Sequence, residues 1–104
     1  MLTCRCFCKL WGRVVMPNVI WKWTLGPVRE QSLQLPQNAQ ILTIQVQNNE
    51  PQLWALVDTE SPIVIRHFLT YYTGEAMPDG DFGQYVGTYL LDNGLFVFHV
   101  FEKS

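Results

Sequence analysis

The chain has 104 residues, room for one domain, with 48% hydrophobic residues, 15% charged residues and a formal charge of −2. Seven Lys and Arg are too few and too scattered to displace phosphate counterions from nucleic acid, and no apolar run reaches the ~18 residues that span a bilayer. So much apolar character in so short a chain predicts surface beyond what one core can hide, and self-association into a homo-oligomer is the simplest use for it.

Residues 1–15 hold all three cysteines, the three cations Arg5, Lys9 and Arg13, and no acidic residue. Residues 16–104 hold four cations against nine acids, a charge of −5. Cys4, Cys6 and Cys8 have the wrong spacing for a zinc knuckle and lack a fourth ligand, so no metal or other cofactor is expected. S-acylation beside basic residues is a second reading. The favoured expectation is that the abrupt change of composition marks the true start at Met16, with residues 1–15 an unstructured or upstream leader and 16–104 a single domain. The leader's apolar stretch is cut by cations and followed by no small-x-small site, so it is no signal peptide, and a cytoplasmic location is expected.

Trp21, Trp23 and Leu25 alternate with Ile20, Lys22 and Thr24, the period of a strand, which Gly26-Pro27 ends. Ser32–Leu35 alternates again before Pro36. Leu42, Ile44 and Val46 are expected on one face of the next strand, with Thr43, Gln45 and Gln47 on the other. Asn48-Asn49-Glu50-Pro51 reads as a turn. Leu53–Val57 is apolar on both faces and belongs between layers, with Trp54 in the core.

Ile63–Thr73 is a long strand rich in β-branched and aromatic residues, with Val64, Arg66, Phe68, Thr70 and Tyr72 on one face. The glycine-rich segment Gly74–Gly83 is a loop. Tyr85–Leu91 and Leu95–Phe101 are strands joined by the hairpin signal Asp92-Asn93-Gly94. The sum is an all-β domain, a small antiparallel sandwich or barrel of about six strands.

Catalytic machinery is not evident. Ser32 and Ser61 sit at turns or strand edges without a G-x-S-x-G elbow, and His67 and His99 lie among strand residues as packed histidines do. Glu75, Asp79 and Asp81 lack the twelve-residue frame of a calcium loop. Arg66 is the one cation in the middle of the domain. It either pairs with Asp58 or Glu60, or, with Tyr72, Thr73 and Tyr85, lines a pocket for a nucleotide-like ligand. Trp21 and Trp23 share a face of an expected edge strand and are candidates for a partner interface.

The segments Leu53-Trp54-Ala55-Leu56-Val57-Asp58, Thr73-Gly74, Gly87-Thr88 and Phe98-His99-Val100-Phe101 resemble a family of short phage and prophage proteins of unknown function. The resemblance covers residues 17–102 and brings no catalytic residue or cofactor. It implies a small accessory protein made inside a bacterial host cell. The expectation is a non-enzymatic binding protein that engages a host protein, counter-defence included. Two alternatives stand beside it: an oligomeric sponge for a nucleotide-like signalling molecule, and a minor virion component.

Overall fold

Alternating apolar and polar residues, cut by turn residues that accept positive φ, give seven strands within residues 18–104, the part of the chain that the computed structural model describes. They are β1 (Asn18–Thr24), β2 (Glu30–Pro36), β3 (Gln40–Gln47), β4 (Glu50–Asp58), β5 (Ile63–Tyr72), β6 (Gln84–Leu91) and β7 (Phe96–Glu102). The readings made for residues 1–15 lie outside the described residues. Among the described residues no helix is long and apolar enough to cross a membrane.

Every pairing is antiparallel, and the strands form two sheets: a three-stranded one ordered β1-β4-β3 and a four-stranded one ordered β2-β5-β7-β6. The fold is thus a small all-β sandwich, one of the two architectures expected, with seven strands where about six were expected. Asn48 and Asn49, both at positive φ, make a two-residue turn that sets Gln47 opposite Glu50. That turn is tighter than the four-residue one expected, so Glu50 and Pro51 already belong to β4. Asp92, Asn93 and Gly94 take positive φ between β6 and β7. The two hairpin tips are tied to each other: Asn49 Nδ2 donates to Asp92 Oδ1 and the Asp92 amide to Asn49 Oδ1, both at 3.1 Å.

The core is one inner row of side chains from each sheet. Leu53, Ala55 and Val57 of β4 are fully buried against Leu35, Phe68, Tyr89 and Val100, with Leu25 and Ile44 closing the ends. Each large apolar side chain so hidden contributes about 1.5–3 kcal/mol. Two expectations are corrected here. The register of β3 shifts between Ile41 and Thr43, so Leu42 points to solvent while Ile41 packs on the core beside Ile44. A bulge reverses the row that simple alternation assigns. Trp54 is not in the core either: it alternates with Leu53 and Ala55, faces outward and lies beneath the Lys22 ammonium, 5.4 Å from its ring centroid.

The segment between β5 and β6 returns to the sheet at Gly83. A Cβ there would stand 2.3 Å from the Glu102 carbonyl oxygen, and φ is +98°, so only glycine fits.

Tyr89 stacks on Phe98 with ring centroids 5.3 Å apart, and its hydroxyl is buried without a hydrogen-bond partner among the described residues. Burial pushes its pKa above the usual phenol value. An unsatisfied buried hydroxyl costs about 1–3 kcal/mol, so Tyr89→Phe is expected to stabilise the domain by roughly 1 kcal/mol in urea unfolding. Because the folded-state pKa is raised, the wild type loses stability as pH climbs above about 10, where the unfolded chain ionises. The Phe variant should show a smaller alkaline loss, and equal losses in both proteins would refute this account.

Candidate functional site

Arg66 stands on the inner-facing row of β5, two residues before the buried Phe68, where the row reaches the rim of the sandwich. Phe68 pairs with Glu102, which brings that carboxylate diagonally beside the guanidinium. The pair is bidentate: Nε to Oε2 at 2.6 Å and the second nitrogen to Oε1 at 2.7 Å. The remaining nitrogen donates to the Ala39 carbonyl at 2.7 Å. Hydrogen bonding to Glu102 raises the Arg66 pKa further, against the opposing pull of burial. Arg66 therefore pairs with neither Asp58 nor Glu60. It joins β5, the end of β7 and the turn before β3, beside a hollow of about 300 Å³ bordered by Ala39, Ile41, Val86 and Glu102.

Of the other three residues considered for ligand binding, two lie elsewhere and one only borders the hollow. Tyr85 borders that hollow, but its ring packs on Phe101 at 5.6 Å and its hydroxyl bonds Thr88 Oγ1 at 2.5 Å, both on the outward face of the four-stranded sheet. Tyr72, six residues along β5 from Arg66 and about 20 Å away, is exposed beside an apolar groove of about 540 Å³. Leu95, Phe96 and Phe98 complete that groove, and Thr73 borders it. The four residues do not line one pocket, because strand alternation separates their side chains and the length of β5 separates the rest.

Thr73 and Tyr85 are connected in another way. Thr73 Oγ1 meets His99 Nε2 at 2.7 Å, His99 Nδ1 meets Thr88 Oγ1 at 2.9 Å, and Thr88 meets the Tyr85 hydroxyl. A hydroxyl beside an imidazole is the start of a nucleophile–base pair, but such pairs work when a third group holds and stabilises the imidazolium. Here the chain runs on to a phenol, and the His99 partners are two threonines. Ser32 Oγ and His67 Nδ1, at 2.8 Å, form an exposed pair of the same kind with no third member. Both histidines are satisfied by hydroxyls.

An aromatic cluster beside this relay has no counterpart in the sequence reading. Tyr71, Phe82 and Tyr85 surround Phe101 edge-to-face at 6.0, 5.1 and 5.6 Å. Arg29 lies 4.4 Å above the Tyr71 ring and is ion-paired with Glu75. Burial alone would raise the Glu75 carboxyl, but bonds from Arg29 and the Tyr72 amide bring it below the ordinary value. The signal was Phe82, the single aromatic residue in the glycine-rich loop, which folds the loop back over the sheet.

Trp21 and Trp23 remain. Their rings meet edge-to-face at 6.2 Å on β1, an edge strand that pairs with β4 alone among the described residues. Trp23 packs against the core and donates its indole N–H to the Gln34 carbonyl at 3.1 Å. Trp21 is 42% exposed and Ile20, on the opposite face, 58%. The other sheet edges are defended. β3 and β6 carry bulges, and β2 ends in Pro36 and has its Gln34 carbonyl taken by Trp23. β1 runs in unbroken register from Asn18 opposite Asp58 to Thr24 opposite Gln52.

The fold and its open edge define a small antiparallel β-sandwich domain with exposed aromatic and aliphatic side chains on one edge strand. A family model described as a domain of unknown function, DUF7352, matches residues 16–104, and the chain belongs to that family. No curated protein and no solved structure matches it.

Removing the guanidinium leaves the Glu102 carboxylate and the Ala39 carbonyl without partners in a half-buried site. Arg66→Ala is expected to cost roughly 2 kcal/mol in urea unfolding. An unchanged midpoint would show that the pair holds nothing together.

Proposed function

We propose that this chain is a non-enzymatic accessory protein of a phage or prophage that acts by binding a protein of its bacterial host, counter-defence included. The observation that carries this reading is β1: a regular edge strand whose outer backbone groups have no partner among the described residues, flanked on both faces by exposed apolar side chains. Such an edge takes up an extended segment of a partner, with backbone hydrogen bonds supplying affinity and side chains at alternate positions supplying choice. The acidic balance of residues 16–104 favours a basic host surface beyond the paired segment, which itself meets Lys22.

Ligand sequestration is the weaker reading. Arg66 would have to leave Glu102 and Ala39 to grip a phosphate, and of the other three residues only Tyr85 borders its hollow, while Tyr72 and Thr73 border a separate groove. Catalysis is weaker still, because neither hydroxyl–imidazole pair has a carboxylate behind it.

The test is affinity capture from the bacterial host read by native mass spectrometry. Trp21→Glu should weaken capture by about 30-fold, as loss of an interface hot spot does, with the melting temperature nearly unchanged. Trp23→Glu should lower the melting temperature as well, since Trp23 also packs on the core and bonds β2. Undiminished capture by the folded Trp21 variant would sink the proposal. A bound small-molecule mass that disappears in Arg66→Ala would move the assignment to sequestration.

A further inference from the structure

The hydrogen-bond parity of β1 decides what can join it. The Leu25 amide donates to the Pro51 carbonyl, which continues the register of β1 on β4 by one residue. In an antiparallel ladder, hydrogen-bonded pairs alternate with non-bonded ones. Trp23 opposite Leu53, Trp21 opposite Ala55 and Val19 opposite Val57 are therefore the bonded pairs, with their N–H and C=O groups turned toward β4. Asn18, Ile20, Lys22 and Thr24 turn theirs outward, to the open edge.

We infer that the occupant of this edge in the free protein is a second copy of β1, joined antiparallel about a two-fold axis at Trp21. Only one register overlaps all seven residues, and it sets Asn18 opposite Thr24 and Ile20 opposite Lys22 of the second copy. All four are outward-bonding residues, so each of these pairs exchanges its free backbone groups. Val19 then faces Trp23, and Trp21 faces its own counterpart, in non-bonded pairs whose Cα atoms stand about 4.5 Å apart. The register also keeps the two Lys22 ammonium groups from facing each other. Lys22, the strand's one charged residue, meets an isoleucine, whereas a shift that centred the axis on Lys22 would place two ammonium groups face to face.

The joint fuses two three-stranded sheets into one of six. It puts two copies of Trp21 and two of Trp23 side by side on one face and the exposed Ile20 of each copy on the other. β1 is the undefended edge among the described strands, so the association closes at two copies instead of growing. Self-pairing uses the surface assigned above to the host protein, and an incoming partner strand would have to displace it. The inference does not rest on that assignment, because it concerns the purified protein alone.

The experiment is sedimentation equilibrium of the purified full-length chain and of two variants at Ile20, an exposed site where either charge is tolerated by the fold. Ile20→Lys sets a second cation opposite Lys22 of the other copy, twice per dimer, and Ile20→Glu sets an anion there. A concentration-dependent dimer is expected for the wild type. The Glu variant should associate about tenfold more tightly than the Lys variant, from cross-strand pair energies acting at two symmetric positions. Cross-linking reads the register directly. In a background with Cys4, Cys6 and Cys8 changed to Ser, Trp21→Cys should form a disulfide-linked dimer under mild oxidation, since its Cα separation suits a disulfide. Ile20→Cys should not. A wild type that stays monomeric at millimolar concentration overturns the inference. So do equal affinities of the Lys and Glu variants, or cross-linking through position 20 as readily as through position 21. Should Trp21→Cys fail to fold, the charge pair decides alone.

Discussion

The buried row of β4 is the constraint from which the rest follows. Leu53, Ala55 and Val57 are fully buried between the sheets, and the inner row of the second sheet packs against them. Trp23, beside Leu53, still packs on the core, while Trp21, beside Ala55 but farther along the edge strand, is exposed over 42% of its surface. A thin sandwich of this size has few side chains to spare for its rim. The rim must then be held by polar means, and the structure does this in two places. At one end Asn49 and Asp92 join the hairpins, and at another Arg66 joins three chain segments.

That use of Arg66 explains why the one central cation is a poor site for an anionic ligand. A guanidinium with all three nitrogens engaged at 2.6–2.7 Å offers little to an incoming phosphate. The same economy applies to the histidines, each satisfied by threonine or serine hydroxyls. These polar groups serve closure, whereas the buried Tyr89 hydroxyl has no partner among the described residues. The surface exposes apolar side chains at the Tyr72–Phe98 groove and along strand β1.

The strands were legible because alternation, asparagine turns and the glycine-rich loop are local signals, and a short-range rule finds them. The faces were legible only where alternation was unbroken. Leu42 and Trp54 were assigned inward because a bulge cannot be seen in composition, and because an apolar run such as Leu53–Val57 does not say which of its faces meets the second sheet. The candidate site was the least legible part. Which carboxylate meets Arg66 depends on β5 pairing with β7, thirty-six positions away at Glu102, and sequence does not reveal strand order. The Phe101 cluster was missed for the same reason, since its four rings come from three strands and a loop.

An exposed regular edge is costly to keep, because it invites indiscriminate pairing. β3 and β6 suppress that hazard with bulges, and β2 with Pro36 and the Trp23 indole, so the same chain has the means to protect an edge. Its absence at β1, combined with tryptophan and isoleucine on opposite faces, argues that the edge is kept for use. A pocket protein selects by enclosing its ligand, but an edge binder selects by register and by which side chains alternate along the strand. For β1 that selection is narrow: the outward-bonding residues are the even-numbered ones, the single charge is Lys22, and the tryptophans share one face. Any partner, whether the proposed host segment or a second copy of this chain, must place apolar residues opposite Val19, Trp21 and Trp23 while keeping cations away from Lys22.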